Sequence, residues 1–194
     1  MIAAAGVDRV LLLPTAHAGW VALELARRLP GRVTGILALS WMVLGASRPF
    51  LDALAGLQDR SRWEEVRDRT FALWTDDHRN ADADRYVNEH MGRHGFEMWA
   101  RAGREISRAF ERTPMPLRAF ADLRPPIMLM HLYALPADPA YLRAQLEFAA
   151  QNRWFEAERF EGSTHFPSIE APELVATAAR RLTTRTGFAP TLPI

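Results

Sequence analysis

Cysteine is absent from the 194 residues. That absence excludes disulfides, thiolate metal sites and a cysteine nucleophile. Lysine is absent as well, so all 24 basic residues are arginine. The arginines do not cluster, and we read them as a codon bias towards G and C. Long apolar runs are lacking too. The longest, near Val10 to Pro14, is far shorter than the ~20 residues that a helix needs to cross a bilayer. Neither sign of charge dominates: 24 basic and 23 acidic residues leave a net charge of +1. Such a balance argues against a nucleic-acid partner and against an anionic membrane. Met1 to Val7 contains no basic residue and does not read as a signal peptide. The expected location is the cytoplasm. No internal repeat or low-complexity segment is visible.

What is present is an ordinary globular composition, 48% hydrophobic, in a length that suits one domain. Val10 to Leu13 is a short apolar run that suits a strand buried on both faces. Gly19 to Leu29 reads as a helix with Val21, Leu25 and Leu29 on its buried stripe; Pro30 and Gly31 stop it. Val33 to Leu39 is a second buried strand. Strand, tight turn, helix and strand make a βαβ unit and imply a parallel sheet. From about residue 49 to 116 the character changes to helical patterning rich in Trp, Arg, Asp and His, and we read a helical cap inserted over the sheet. Ile127 to Met130 resumes the strand pattern. A helix follows over 139–151, with Asp138 as N-cap, Pro139 at its first position, and Tyr141, Leu142, Leu146 and Phe148 available for its buried side. Trp154 to Phe160 is a last strand. A closing helix over 172–183 buries Leu174, Val175, Ala178 and Leu182. The tail after Gly187 has little to pack and should be mobile. The expected fold is α/β: a parallel sheet of about four strands, helices on both faces and a helical lid.

The first strand-to-helix junction reads Pro14-Thr15-Ala16-His17-Ala18-Gly19-Trp20. A buried strand feeding a sharp turn and a helix is the setting of a nucleophile elbow, where one side chain is held above the sheet beside backbone N–H groups. By position that side chain belongs to Ala16, which has no nucleophilic atom. A plain serine-hydrolase mechanism is excluded there.

Several stretches taken together resemble the cofactor-independent 2,4-dioxygenases of 3-hydroxy-4-oxoquinolines, members of the α/β-hydrolase superfamily. They are Thr15 to Val21, Ser40-Trp41-Met42, Arg62-Trp63-Glu64, Phe71 to Trp74, Gly95 to Trp99, and Gly162 to Pro167. The resemblance runs from about Gly6 to Arg180. It implies an enzyme that opens a heteroaromatic ring with O2, uses no metal, flavin or other cofactor, and releases carbon monoxide. It maps the general base to His165 and the acid that partners it to Ser40. The elbow serine maps to Ala16, and a pocket-lining tryptophan to Trp74. His17, Trp20 and Trp41 join Trp74 as candidate substrate-binding residues. The N-terminal part of the family, with its first strands, has no counterpart here. The resemblance thus implies a domain that is short at its N-terminus, whose partner is a second copy or a complementing N-terminal fragment.

The chemistry needs a base, orientation and a site for developing negative charge, but no covalent nucleophile. Alanine at position 16 is therefore tolerable. Serine at position 40 costs more, because a carboxylate orients an imidazole and stabilises the imidazolium that forms. The alternatives are a catalytically impaired or non-catalytic homologue, such as a binding or regulatory subunit or a truncated remnant, and a hydrolase with an atypical nucleophile such as Ser40 or Ser163. His90 and His94 have the i, i+4 spacing of metal ligands on a helix, but no third ligand is evident. Asp76, Asp77 and His78 look like a solvated helix end. Asp138 could partner His165, but capping accounts for it.

Overall fold

The computed structural model describes residues 6–187. The expected loose tail falls on residues 188–194, outside the described residues. Four parallel strands, β1 (Val10–Leu12), β2 (Val33–Leu39), β3 (Met128–Tyr133) and β4 (Phe155–Arg159), form one sheet in the order β1-β2-β3-β4. The inner strands β2 and β3 are laddered on both sides, and their near-continuous apolar sequences lie almost wholly buried, as parallel strands covered on both faces must. Strand β1 departs from the expectation of burial on both faces. It is three residues long, half-buried, and lies at the sheet edge, with Leu13 beyond it 47% exposed.

Helices cover both faces. On one, α1 (Ala18–Arg28), α6 (Pro116–Ala121) and α7 (Pro139–Gln151) pack Ala22, Leu23, Leu117, Phe120 and Phe148 against Ile36, Ala38, Leu129 and Phe155. On the other, α9 (Pro172–Thr186) lays Val175, Ala178 and Leu182 over Leu37, Leu39, Met130 and Leu132. Each fully buried aliphatic side chain here contributes about 1.5–3 kcal/mol. Three details correct the sequence reading. Helix α1 buries Ala22, Leu23 and Ala26 and leaves Val21 61% exposed, because the helix lies next to the open sheet edge. Helix α7 buries Gln145 and exposes Leu146, and α9 exposes Leu174.

Between β2 and β3 the chain forms α2 (Arg48–Gly56), α3 (Trp63–Trp74), α4 (Ala81–Tyr86), a π-helical turn (Val87–Met91), α5 (Phe96–Arg112) and α6. Ser47 and Asn80 cap α2 and α4 by accepting the Phe50 and Ala83 N–H groups. Helix α5 crosses α2 closely: a Cβ on Gly103 would come within 2.5 Å of the Leu54 carbonyl oxygen. These helices share a core of Leu54, Val66, Phe71 and Trp99 that also takes in Phe166 and Ile169. The short helix α8 (Pro167–Glu170) and the loop before it are thereby joined to the inserted helices as well as to the sheet.

Candidate active site

Ala16, Ser40 and His165 follow β1, β2 and β4 respectively. They stand at the carboxyl end of the parallel sheet, the end at which open α/β sheets bind ligands. The chain turns sharply after β1. The Ala16 N–H donates to the Leu39 carbonyl at 2.8 Å, the Leu39 N–H donates back to the Pro14 carbonyl at 2.9 Å, and Ala16 adopts φ +48°. A left-handed alanine is unusual. The strained turn of an elbow is thus present without the hydroxyl. Close packing fixes the start of α1: a Cβ on Gly19 would lie 2.4 Å from the Trp41 ring, so only glycine lets the helix approach that tryptophan.

Ser40 is also left-handed, with φ +48°. Its N–H donates to the Leu132 carbonyl at 3.0 Å, and its buried Oγ has no hydrogen-bond partner. The next residue is held by a polar pair inside the core. The Trp41 N–H donates to His131 Nε2 at 3.1 Å, and His131 Nδ1 lies 2.6 Å from Gln145 Oε1. Since Nε2 accepts, the proton of the neutral ring sits on Nδ1 and is donated to Gln145. Burial pulls His131 down to about 4, opposed only by the Gln145 hydrogen bond.

His165 sits in the loop between β4 and α8. Its N–H donates to the Trp74 carbonyl at 2.9 Å, and its ring stacks on the Trp74 ring with centroids 5.0 Å apart and planes 14° apart. Among the described residues the one histidine–carboxylate contact is His78 with Asp84; His165 has no such partner. Burial, and then the neighbouring His17, lower its pKa to about 4, so the imidazole is neutral at neutral pH and its nitrogen lone pair is free. His17 stacks on Phe50 at 5.5 Å and meets the edge of Phe110 at 6.3 Å. Its Nδ1 is buried without a partner, and burial lowers its pKa to about 4. Trp20 joins the same aromatic cluster, 5.1 Å from Trp41 and 5.4 Å from Phe110. Trp41 is 2% exposed and packs edge-on against Phe120, as a wall behind the cluster.

Other candidates separate from the site. His90 lies in the π-helical turn beside Tyr86, and His94 lies in the loop after it, so the two do not share one α-helical face. Among the described residues no three potential ligands come together for a metal. Asp138 accepts the Ala140 N–H at 2.8 Å and caps α7. The Ser163 hydroxyl points to Glu170, and neither Ser163 nor Ser40 is hydrogen-bonded to an imidazole that could activate it. Asp76, Asp77 and His78 follow the end of α3, with Asp77 and His78 exposed as a solvated helix end should be, and form three successive left-handed residues. Sequence reasoning missed His131, Gln145 and Glu170. A histidine inside the apolar strand Met128–Tyr133 and a glutamine on the buried side of α7 were the available signals, since a buried polar group needs a partner.

No protein-family model matches the chain. It is 39% identical over 174 residues to the 2-heptyl-3-hydroxy-4(1H)-quinolone dioxygenase of Mycobacteroides abscessus, covering 89% of this chain and 65% of that protein. It is 31% identical to the 1H-3-hydroxy-4-oxoquinoline 2,4-dioxygenase of Pseudomonas putida, covering 92% of this chain and 68% of the relative. The chain thus spans about two thirds of the length of the curated relatives it matches. Among solved structures, a variant of the ring-cleaving protein AqdC in complex with its substrate superposes with a TM-score of 0.90 at 37% identity, over 95% of this chain and 69% of the other. A carboxylesterase of Nitrososphaera gargenis, at 14% identity and TM-score 0.68 over 96% of this chain and 68% of the other, shares the fold alone. The chain belongs to the 3-hydroxy-4-oxoquinoline 2,4-dioxygenase family, built on the α/β-hydrolase fold.

Proposed function

We propose that the chain binds a 3-hydroxy-4-quinolone and O2, with His165 as general base and without a metal, flavin or other cofactor. The observation that carries this reading is the His165 imidazole, neutral at neutral pH and stacked on Trp74 at the carboxyl end of the sheet. A neutral imidazole can take the 3-hydroxyl proton and leave an electron-rich anionic ring for O2 to attack. Trp74 offers a flat surface for such a ring. His17 and Trp20 line the neighbouring wall, with Trp41 behind them, and the helices of residues 49–116 act as the cap. Ala16 supplies the turn and no hydroxyl. Ser40 supplies a hydroxyl where a carboxylate would stabilise the imidazolium, so turnover is slow.

The test is binding and turnover of 2-heptyl-3-hydroxy-4-quinolone in air. Binding should quench tryptophan fluorescence, and turnover should release carbon monoxide. His165→Ala should remove about two to four orders of magnitude of turnover, the usual range for a positioned base. Ser40→Asp should raise turnover, and Ala16→Ser should do less. Turnover that survives His165→Ala unchanged refutes the base assignment. The unpartnered Ser40 hydroxyl and the absence of a carboxylate at His165 favour a second reading, a homologue that binds the quinolone without turning it over; binding without carbon monoxide would select it.

Strand β1 stands at the sheet edge beside exposed Leu13 and Val21, which supports pairing with a second copy or with a fragment that supplies further strands. Light scattering should show dimers or larger species; a monomer at high concentration opposes this. Among the described residues no helix is long and apolar enough to cross a membrane. We place the protein in the cytoplasm, with no nucleic-acid or membrane partner.

A further inference from the structure

The segment Gly162–Phe166 has neither helix nor strand to hold it, yet the chemistry proposed above needs its histidine fixed within a fraction of an ångström. One carboxylate does most of the holding. Glu170 Oε1 accepts the Ser163 N–H at 2.8 Å and the Ser163 hydroxyl at 3.3 Å; Oε2 accepts the Thr164 N–H at 2.9 Å and the Thr164 hydroxyl at 2.8 Å. Thr164 Oγ1 in turn accepts the Phe166 N–H at 3.2 Å, and Thr164 is fully buried. The residues on both sides of His165 are thus tied to one acid, while His165 itself is tied to Trp74 by its N–H and its ring.

Hydrogen bonds to an ionised acceptor are about twice as strong as neutral ones, and four donors converge on this carboxylate. Burial would raise the Glu170 pKa, but the Ser163 and Thr164 hydrogen bonds outweigh it and hold the group below the usual carboxylate range. Glu170 does not touch His165: the four donors occupy its oxygens, and no imidazole lies within ion-pair distance. It is not the missing acid partner. Space around the loop is also fixed. A Cβ on Gly162 would lie 2.5 Å from the Phe160 ring and 2.9 Å from Glu170 Oε2, so the chain can enter the clamp only as glycine.

We propose that Glu170 is a positioning residue, whose carboxylate clamps Ser163 and Thr164 and thereby sets the His165 ring against Trp74. This rests on His165 being the base, but the test separates the two. The full chain, labelled for histidine NMR, is titrated as wild type, as Glu170→Gln and as the exposed control Glu173→Gln. In the wild type and the control, the His165 ring protons should carry the ring-current shift of Trp74, and the ring should stay neutral to near pH 4. In Glu170→Gln the ring-current shift should shrink and the titration should move up towards the ordinary histidine value, because the amide cannot accept from all four donors. A role confined to stability would lower the melting temperature and leave the shift and titration of His165 as in the wild type; that result overturns the proposal. Should Glu170→Gln fail to fold, Thr164→Val and Thr164→Ser decide. The valine should move His165 in the same direction and the serine should restore it, and equal behaviour of the two overturns the proposal. If the wild type turns over the quinolone, Glu170→Gln should lower kcat by ~10- to 100-fold, the scale of a misplaced catalytic group, with little change in KM. If it turns over nothing, the base assignment fails while the NMR result still decides the clamp.

Discussion

Ala16 and Ser40 share one backbone angle, φ +48°, and follow neighbouring strands at the carboxyl end of the sheet. A non-glycine residue in that region costs on the order of 1–2 kcal/mol. The fold carries that strain at the elbow even though Ala16 has no hydroxyl to present. We therefore expect no labelling by a fluorophosphonate and no burst with activated esters, since no acyl-enzyme can form at Ala16; stoichiometric labelling would point to another serine. His131 shows the opposite case, a polar residue inside the core that is fully used. His131→Ala would strand the Trp41 N–H and Gln145 together. Each stranded group costs about 1–3 kcal/mol, so urea unfolding should show a loss of about 3–5 kcal/mol once the cavity is added. A loss below about 1 kcal/mol would mean that water replaces the ring at no cost.

Among the elements, the run Asp76–Asp77–His78 is the most strained. Three successive left-handed residues link α3 to α4, and the run is braced by the Asp77 N–H on the Ala72 carbonyl, by Arg79 on Asp76, and by His78 with Asp84. Asp77 is exposed, so Asp77→Gly should relieve its angle and raise stability by about 0.5–1 kcal/mol, while Asp77→Val should lower it by more than about 1 kcal/mol. The reverse order in urea midpoints would show that the turn is not left-handed in solution. The residue types hinted at this, because Asp and His tolerate positive φ better than most, but nothing in the residue pattern requires three such residues in a row. The βαβ unit was legible because the stretches that form β1 and β2 are near-continuously apolar and because Pro30-Gly31 breaks the pattern cleanly. The buried face of α1 was not, because the periodicity of Val21, Leu25 and Leu29 assumes that a sheet covers the whole stripe, whereas β1 is an edge strand among the described residues. At the site, the elbow and the Gly162–Pro167 loop were legible from local residue types. The Glu170 clamp and the His131 pair were not, because each depends on a partner four or more residues away whose direction the fold alone sets.

On the scale of the whole molecule, three histidines from separate elements behave alike: His17 at the start of α1, His131 inside β3 and His165 in the loop after β4. His17, His131 and His165 each have a pKa lowered from 6.5 to about 4, with burial the largest cause. The folded state therefore prefers them neutral, and the unfolded chain binds more protons between about pH 6.5 and 4. Stability must then rise with pH across that window: the contribution is complete above 6.5, declines as pH falls below it, and is exhausted near 4. Each pH unit is worth about 1.4 kcal/mol per proton, so fully buried His131 alone accounts for a loss on the order of 3 kcal/mol, and the half-buried pair for less. Glu170 extends the decline with the same sign below about pH 4.5, its ordinary value, because its hydrogen bonds depend on the ionised form. Against a total stability of about 5–15 kcal/mol, that loss is a sizeable fraction, and unfolding near pH 5 should take up more than one proton. Urea titrations at pH 7.5, 6, 5 and 4.5 measure this as the slope of unfolding free energy on pH. His131→Gln keeps an acceptor for the Trp41 N–H but cannot titrate, so it should lower the slope by about one proton. A slope near zero between pH 6.5 and 5 would show that the folded rings titrate no differently from those of the unfolded chain, and a slope that His131→Gln leaves unchanged would show that His131 is not among the groups that take up protons on unfolding.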